Sequence, residues 1–132
     1  MSNVTDVSIL CIDDEEPNLH LFELVFKKKY QVHTATSAAE GMEKLRDPSR
    51  NIVAVFTDMW MPTMSGLDFI KKAKEEYGLV WYFILSSYYV SDEIKEAMDQ
   101  KIVNGFFQKP FNTDEIENCI EDLVNSISVS NN

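Results

Sequence analysis

Five short apolar runs, each followed by a stretch of helical periodicity, limit this chain to very few folds. Val7 to Ile12 (VSILCI), Ile52 to Thr57 (IVAVFT) and Trp81 to Leu85 (WYFIL) are apolar almost throughout. Val32 to Ala35 and Gly105 to Gln108 are shorter versions. A strand with one wet face alternates apolar and polar residues, whereas a strand covered on both faces does not. The segments between the runs read as helices. Pro17 suits a first helical turn, and Leu21, Leu24, Val25 and Lys28 continue it at helical spacing. Ser37-Ala38-Ala39-Glu40 is a capping box; Met42 and Leu45 give that helix its apolar side, and Pro48 lies just beyond it. A third helix follows Pro62 and Gly66, from about Leu67 to Tyr77, and Gly78 ends it. Ser91-Asp92-Glu93 opens a fourth, carrying Ile94, Ala97 and Met98. Asn112 or Thr113 caps the fifth, whose stripe is Ile116, Ile120, Leu123 and Val124. Strict βα alternation predicts one α/β domain, a doubly wound parallel sheet of five strands with five helices.

Composition narrows the function. The 132 residues are the size of a single domain. A net charge of −10 disfavours direct binding to nucleic acid, which needs clustered Lys and Arg. No apolar run approaches the roughly 20 residues of a membrane span, and Met1 to Asp6 lacks the pattern of a signal peptide. The expectation is a cytoplasmic protein with no membrane partner. Cys11 and Cys119 lack metal or redox spacing and read as buried structural thiols. His20 and His33 read as surface or helix-packing residues.

In a doubly wound sheet the ligand site lies at the carboxyl ends of the strands. Here strand one ends in Asp13-Asp14-Glu15-Glu16, strand three in Asp58, strand four in Ser86-Ser87 and strand five in Lys109-Pro110. Three converging carboxylates repel one another, and a hard divalent cation such as Mg²⁺ relieves that. A carboxylate can also attack phosphorus to give an aspartyl-phosphate. Both reactants are anionic, so Mg²⁺ and Lys109 would have to offset charge. Ser86 can donate a hydrogen bond to a phosphoryl oxygen.

On these residues the chain resembles the receiver domain of two-component response regulators. The markers are Ile12-Asp13-Asp14-Glu15, Asp58-Met59-Trp60-Met61-Pro62, Gly66, Leu85-Ser86-Ser87 and Lys109-Pro110-Phe111, in that order. The resemblance implies a flavodoxin-like strand order 2-1-3-4-5 and a receiver domain over residues 1–126, and the Ser- and Asn-rich composition beyond it reads as a polar flexible tail over 127–132. It implies Asp58 as phosphoacceptor, Asp14 as direct metal ligand and Asp13 acting through a metal-bound water. The Trp60 backbone carbonyl would be a further ligand, for Mg²⁺ or alternatively Mn²⁺. Ser86 would follow the phosphoryl group, Lys109 would bridge to acceptor or phosphoryl oxygens, and the Lys109–Pro110 peptide would be cis. Phe106 would be the aromatic that swings inward. It stands where many relatives have Tyr, so no hydroxyl reports its rotation. The donor would be a histidine kinase or histidine phosphotransfer protein. The output would pass through the fourth helix, fifth strand and fifth helix to a downstream protein or a fused domain. The short tail suits both a stand-alone receiver and one cut from a longer chain.

Some positions depart from the family pattern. Trp60 and Tyr88, two past Asp58 and Ser86, are bulky and should hinder the water that hydrolyses an aspartyl-phosphate. Thr63 stands where many relatives have Gly and should stiffen the loop before Gly66. A haloacid-dehalogenase-like phosphatase would need a second Asp where Trp60 stands. A flavodoxin-like module would need a Ser/Thr/Gly-rich loop where Asp13 to Glu16 stand. A signalling domain rather than an enzyme is the expectation.

Overall fold

Ser8–Ile12 (β1) is buried at every position, as a strand covered on both faces must be. The computed structural model describes residues 6–130. After β1 come Glu16–Phe26 (α1), Gln31–Ala35 (β2), Ala38–Arg46 (α2), Ile52–Asp58 (β3), Gly66–Glu76 (α3), Trp81–Ser86 (β4), Asp92–Asp99 (α4), Gly105–Gln108 (β5) and Thr113–Ser130 (α5). The strands form one parallel sheet in the order β2-β1-β3-β4-β5. The predicted fold class and strand order are those observed.

Alternation along each strand explains the continuous apolar runs. Leu10, Ile12, Val55 and Ile84 pack on one side with Met42, Leu45, Leu67, Ile70, Ile94 and Ala97 of α2, α3 and α4. Ile9, Cys11, Phe56, Phe83 and Phe107 pack on the other with Phe22, Phe26, Ile116 and Ile120 of α1 and α5. Phe56 and Phe83 stack with centroids 4.8 Å apart.

The capping expectations hold in detail. The Ser37 hydroxyl accepts from the Glu40 N–H, and the Glu40 carboxylate reaches back to the Thr36 N–H. Asn112 rather than Thr113 caps α5, accepting from the Glu115 N–H. Ser91 caps α4 in the same way through the Ile94 N–H.

Two readings need correction, and a third is extended. The polar flexible tail assigned to 127–132 is helical as far as Ser130, and residues 131–132 lie outside the described ones. Ile127 continues the Ile116, Ile120, Leu123 stripe at helical spacing, and serine opposes a helix only weakly. Cys119 is half-buried rather than buried, while Cys11 is buried; neither is in a disulfide. Pro48 lies just beyond α2, as read from the sequence, and Pro48–Arg50 forms a 3-10 turn there, capped by Asp47 through the Ser49 N–H.

Candidate functional site

Asp13 leaves β1 with its N–H bonded to the Ala35 carbonyl, 3.1 Å away. The residue is only 3% exposed, and its carboxylate is fully engaged. Oδ1 accepts from the Glu15 N–H at 2.9 Å. Oδ2 accepts from the Asn18 amide at 3.1 Å and the Lys109 Nζ at 2.7 Å. A buried carboxylate needs such partners, since removing a charge from water is costly without them. Asn18 was not singled out in the sequence. Its place in the first turn of α1, five residues past Asp13, is the signal that could have found it.

Asp58 ends β3, in register with Leu85 of β4. Its Oδ1 lies 3.2 Å from the Lys109 Nζ, and Oδ2 accepts no hydrogen bond among the described residues. Burial raises the Asp58 carboxyl above the ordinary carboxylate range; Lys109 opposes this, and the Asp13 and Asp14 charges add to it. Lys109 is 18% exposed at its side chain. Burial alone would lower its ammonium, but the hydrogen bond to Asp13 and the two negative charges outweigh that and raise it. The ion pairs therefore keep Lys109 cationic.

Asp14 is exposed beside them. One carboxylate oxygen from each of Asp13, Asp14 and Asp58 falls within 4.8 Å of the others. That donor set fits a hard divalent cation.

The backbone at Asp58 is shaped by close approach. Gly66 begins α3, and its N–H donates to the Met59 carbonyl at 2.8 Å. A Cβ at Gly66 would collide with the Asp58 carbonyl oxygen and lie 3.0 Å from its carbon. Between them, Met64 N–H donates to the Pro62 carbonyl at 2.8 Å while Thr63 has φ 76°. An i to i+2 bond around a positive φ is the rarer, strained form of γ-turn. Thr63 is thus held in the left-handed region, which sharpens the expectation of a stiff loop into one of a strained loop.

Ser86 is buried at the end of β4. Its Oγ accepts from the Tyr88 N–H at 3.1 Å, and its carbonyl accepts from the Lys109 N–H at 2.8 Å. The Lys109–Pro110 peptide is cis. Phe106 lies in register with Ile84 and packs half-buried on the α2–α4 side. Trp60 and Tyr88 are exposed, and their rings meet edge to face, 6.3 Å apart at 88°. Burial pushes the Cys11 thiol up, so it is a protonated apolar neighbour of the site. His20 is exposed, and neither histidine reaches the cluster. No described helix is long and apolar enough to cross a membrane.

Comparison with known proteins points the same way. The sequence profile of the response regulator receiver domain matches residues 9–121. The two-component response regulator ORR6 of Oryza sativa subsp. japonica is 27% identical over 116 residues, covering 85% of this chain and 68% of that protein. The hydrogenase transcriptional regulatory protein HoxA of Cupriavidus necator is 23% identical over 118 residues, covering 89% of this chain but 24% of that protein. This chain thus spans about a quarter of HoxA's length. A response regulator receiver domain protein from Clostridium thermocellum superposes with a TM-score of 0.85 at 27% identity, over 93% of this chain and 98% of that one. With an acid cluster at the strand ends of a 2-1-3-4-5 sheet and a profile covering most of its length, this chain belongs to the response regulator receiver domain family of two-component signalling.

Proposed function

We propose that this receiver accepts a phosphoryl group on Asp58 from a histidine kinase or histidine phosphotransfer protein, in a reaction that depends on Mg²⁺ or Mn²⁺. One observation carries the choice of Asp58. Both oxygens of Asp13 are engaged by donors, whereas Asp58 Oδ2 accepts no hydrogen bond among the described residues and keeps its lone pairs for attack. The residues suited to hold the cation are Asp13, Asp14, Asp58 and the Trp60 carbonyl. When bound, it supplies charge neutralisation between the carboxylate and the incoming phosphoryl group. Lys109 orients Asp58 and offsets charge on the phosphoryl oxygens. Ser86 carries its own hydroxyl proton, which it can donate to one of those oxygens. Its displacement biases an existing equilibrium of the α4-β5-α5 surface, and Phe106 turns with it. The target is a downstream protein or a fused output domain, and the setting is the cytoplasm. The receiver assists only its own phosphorylation and dephosphorylation.

The test is a two-dimensional amide NMR spectrum recorded with Mg²⁺, before and after addition of beryllofluoride or acetyl phosphate. Shifts should spread from Asp58 to α4, β5 and α5. Asp58→Asn should abolish them. A response that survives in that variant would overturn the assignment.

A further inference from the structure

His33 sits in β2, an edge of the sheet, in register with Leu10 of β1. Partners across a parallel ladder share a face, so the imidazole lies on the Leu10 side of the sheet, the side covered by α2. Its Nε2 is closed off from solvent and has no hydrogen-bond partner among the described residues. Nor has the Nε of Arg50, in the 3-10 turn that follows α2. Asp47 stands 3.7 Å from that nitrogen, an ion pair too long for a hydrogen bond.

An imidazole in this place is accommodated only when neutral. A second proton would set a charged N–H in a closed space with no acceptor, which is costly. The charges that face the ring are cations, Arg50 of the turn and Lys44 of α2. Its partner from β1 is the apolar Leu10. The remaining charged groups of these elements are Glu40, Glu43, Arg46 and Asp47. Burial, then Arg50, then Lys44 hold the imidazole below the ordinary histidine value of about 6.5. An opened chain therefore takes up a proton that the closed structure refuses. The closed edge keeps its full stability above pH ~6.5 and loses it as pH falls toward the folded value.

We propose that His33 is an acid sensor at the sheet edge, whose protonation releases α2 and the Pro48–Arg50 turn from β2. The release bears on the acid cluster, since Ala35, two residues further along β2, accepts the hydrogen bond from the Asp13 N–H. It does not depend on Asp58 accepting a phosphoryl group.

Exchange of single amides, followed by NMR from about pH 7 to 5 and expressed as protection factors, reads the opening directly. With one proton taken up on opening, protection of the amides from Gly41 to Arg46 should fall by up to about tenfold per pH unit below pH ~6.5. The Asp13 amide should follow. His33→Gln should give a flat profile, whereas His20→Gln, on α1, should behave as wild type. Arg50→Gln removes one facing cation, so its His33 ring should titrate at higher pH and the total loss of protection should be smaller. That variant tests the sensor even if His33→Gln fails to fold. A flat wild-type profile, a decline that persists in His33→Gln, or a His33 ring that titrates at or above pH ~6.5 would overturn the sensor. An Asp13 amide that stays protected throughout would overturn its link to the acid cluster.

Discussion

Thr63→Gly should make this protein more stable, although it replaces a side chain with none. Thr63 has φ 76° at the centre of a turn closed by the 2.8 Å bond from Met64 N–H to the Pro62 carbonyl. For an L-residue the left-handed region costs about 1–2 kcal/mol, and a β-branched residue belongs at the upper end. Glycine removes that cost. Against it stands the greater freedom of glycine in the unfolded chain, about 0.4–1 kcal/mol. Thr63 is exposed, so little packing is lost. The balance is a gain of about 1 kcal/mol.

In urea, with a slope of about 2 kcal/mol/M, that gain moves the midpoint up by roughly half a molar. The slope itself should stay constant, since the surface exposed on unfolding does not change. Thr63→Ala is the control: it relieves the β-branch but keeps the left-handed penalty, so it should gain less. A Thr63→Gly midpoint no higher than wild type, or one matched by Thr63→Ala, would refute the strain argument. Because the turn lies in the loop that carries the Trp60 carbonyl, Mg²⁺ affinity measured on the same variants would show whether the strain also positions that proposed ligand.

Three further outcomes follow from the same geometry. Asp58 has a folded pKa above its unfolded value; its contribution to stability is therefore present below the unfolded pKa of about 4 and lost as pH rises through the folded one. In metal-free buffer Asp58→Asn should then be more stable than wild type at pH 7, with the gain fading below pH ~4, as thermal unfolding across pH will show. Gly66→Ala should destabilise the fold by about 2 kcal/mol or more, because the new Cβ meets Asp58 backbone rather than a flexible side chain; equal stability in urea would show that α3 can shift away. Trp60→Asn combined with Tyr88→Ala should speed loss of the aspartyl-phosphate, and a phosphoryl lifetime equal to wild type would show that the rings do not shield it from water.

The fold was legible because its strands are buried on both faces, which leaves a compositional mark that no turn or loop can imitate. Leu10 and Ile12 serve one layer while Ile9 and Cys11 serve the other, so the run VSILCI could only be a central strand. The acid cluster was legible for a related reason: once the strands are placed, their carboxyl ends are placed too. What was hidden depends on backbone detail. Nothing in the letters Pro62-Thr63-Met64 announces a positive φ, and threonine argues against one. Gly66 looked like a turn residue, yet its φ is not positive, and what it provides is room for the Asp58 carbonyl. Asn18 escaped because an amide in a first helical turn is usually a cap, whereas here it reaches back to Asp13 and Glu15. The end of α5 was misjudged from composition, since Ser and Asn outnumber the single Ile127 that carries the stripe on.

Loss of a hydroxyl at Phe106 need not silence the proposed switch, because the covalent and hydrogen-bonded path already runs through the backbone. Ser86 is tied on two sides: its Oγ to the Tyr88 N–H and its carbonyl to the Lys109 N–H. If Ser86 turns its hydroxyl toward a phosphoryl group on Asp58, the first bond draws on the loop leading to α4. The second bears on the end of β5 and on Lys109, which itself holds Asp13 and Asp58. Phe106, half-buried and in register with Ile84, two residues before Ser86, lies against the same layer as α4. Space opened by a shift of the β4–α4 loop is therefore space into which a phenyl ring can turn, driven by burial of apolar surface at about 25 cal/mol per Å² rather than by a polar anchor. In such an arrangement the ring follows the loop and need not direct it, so Phe106→Tyr should leave coupling between Asp58 and α4 largely intact, whereas Ser86→Ala, which removes the hydroxyl proposed to sense the phosphoryl group, should not.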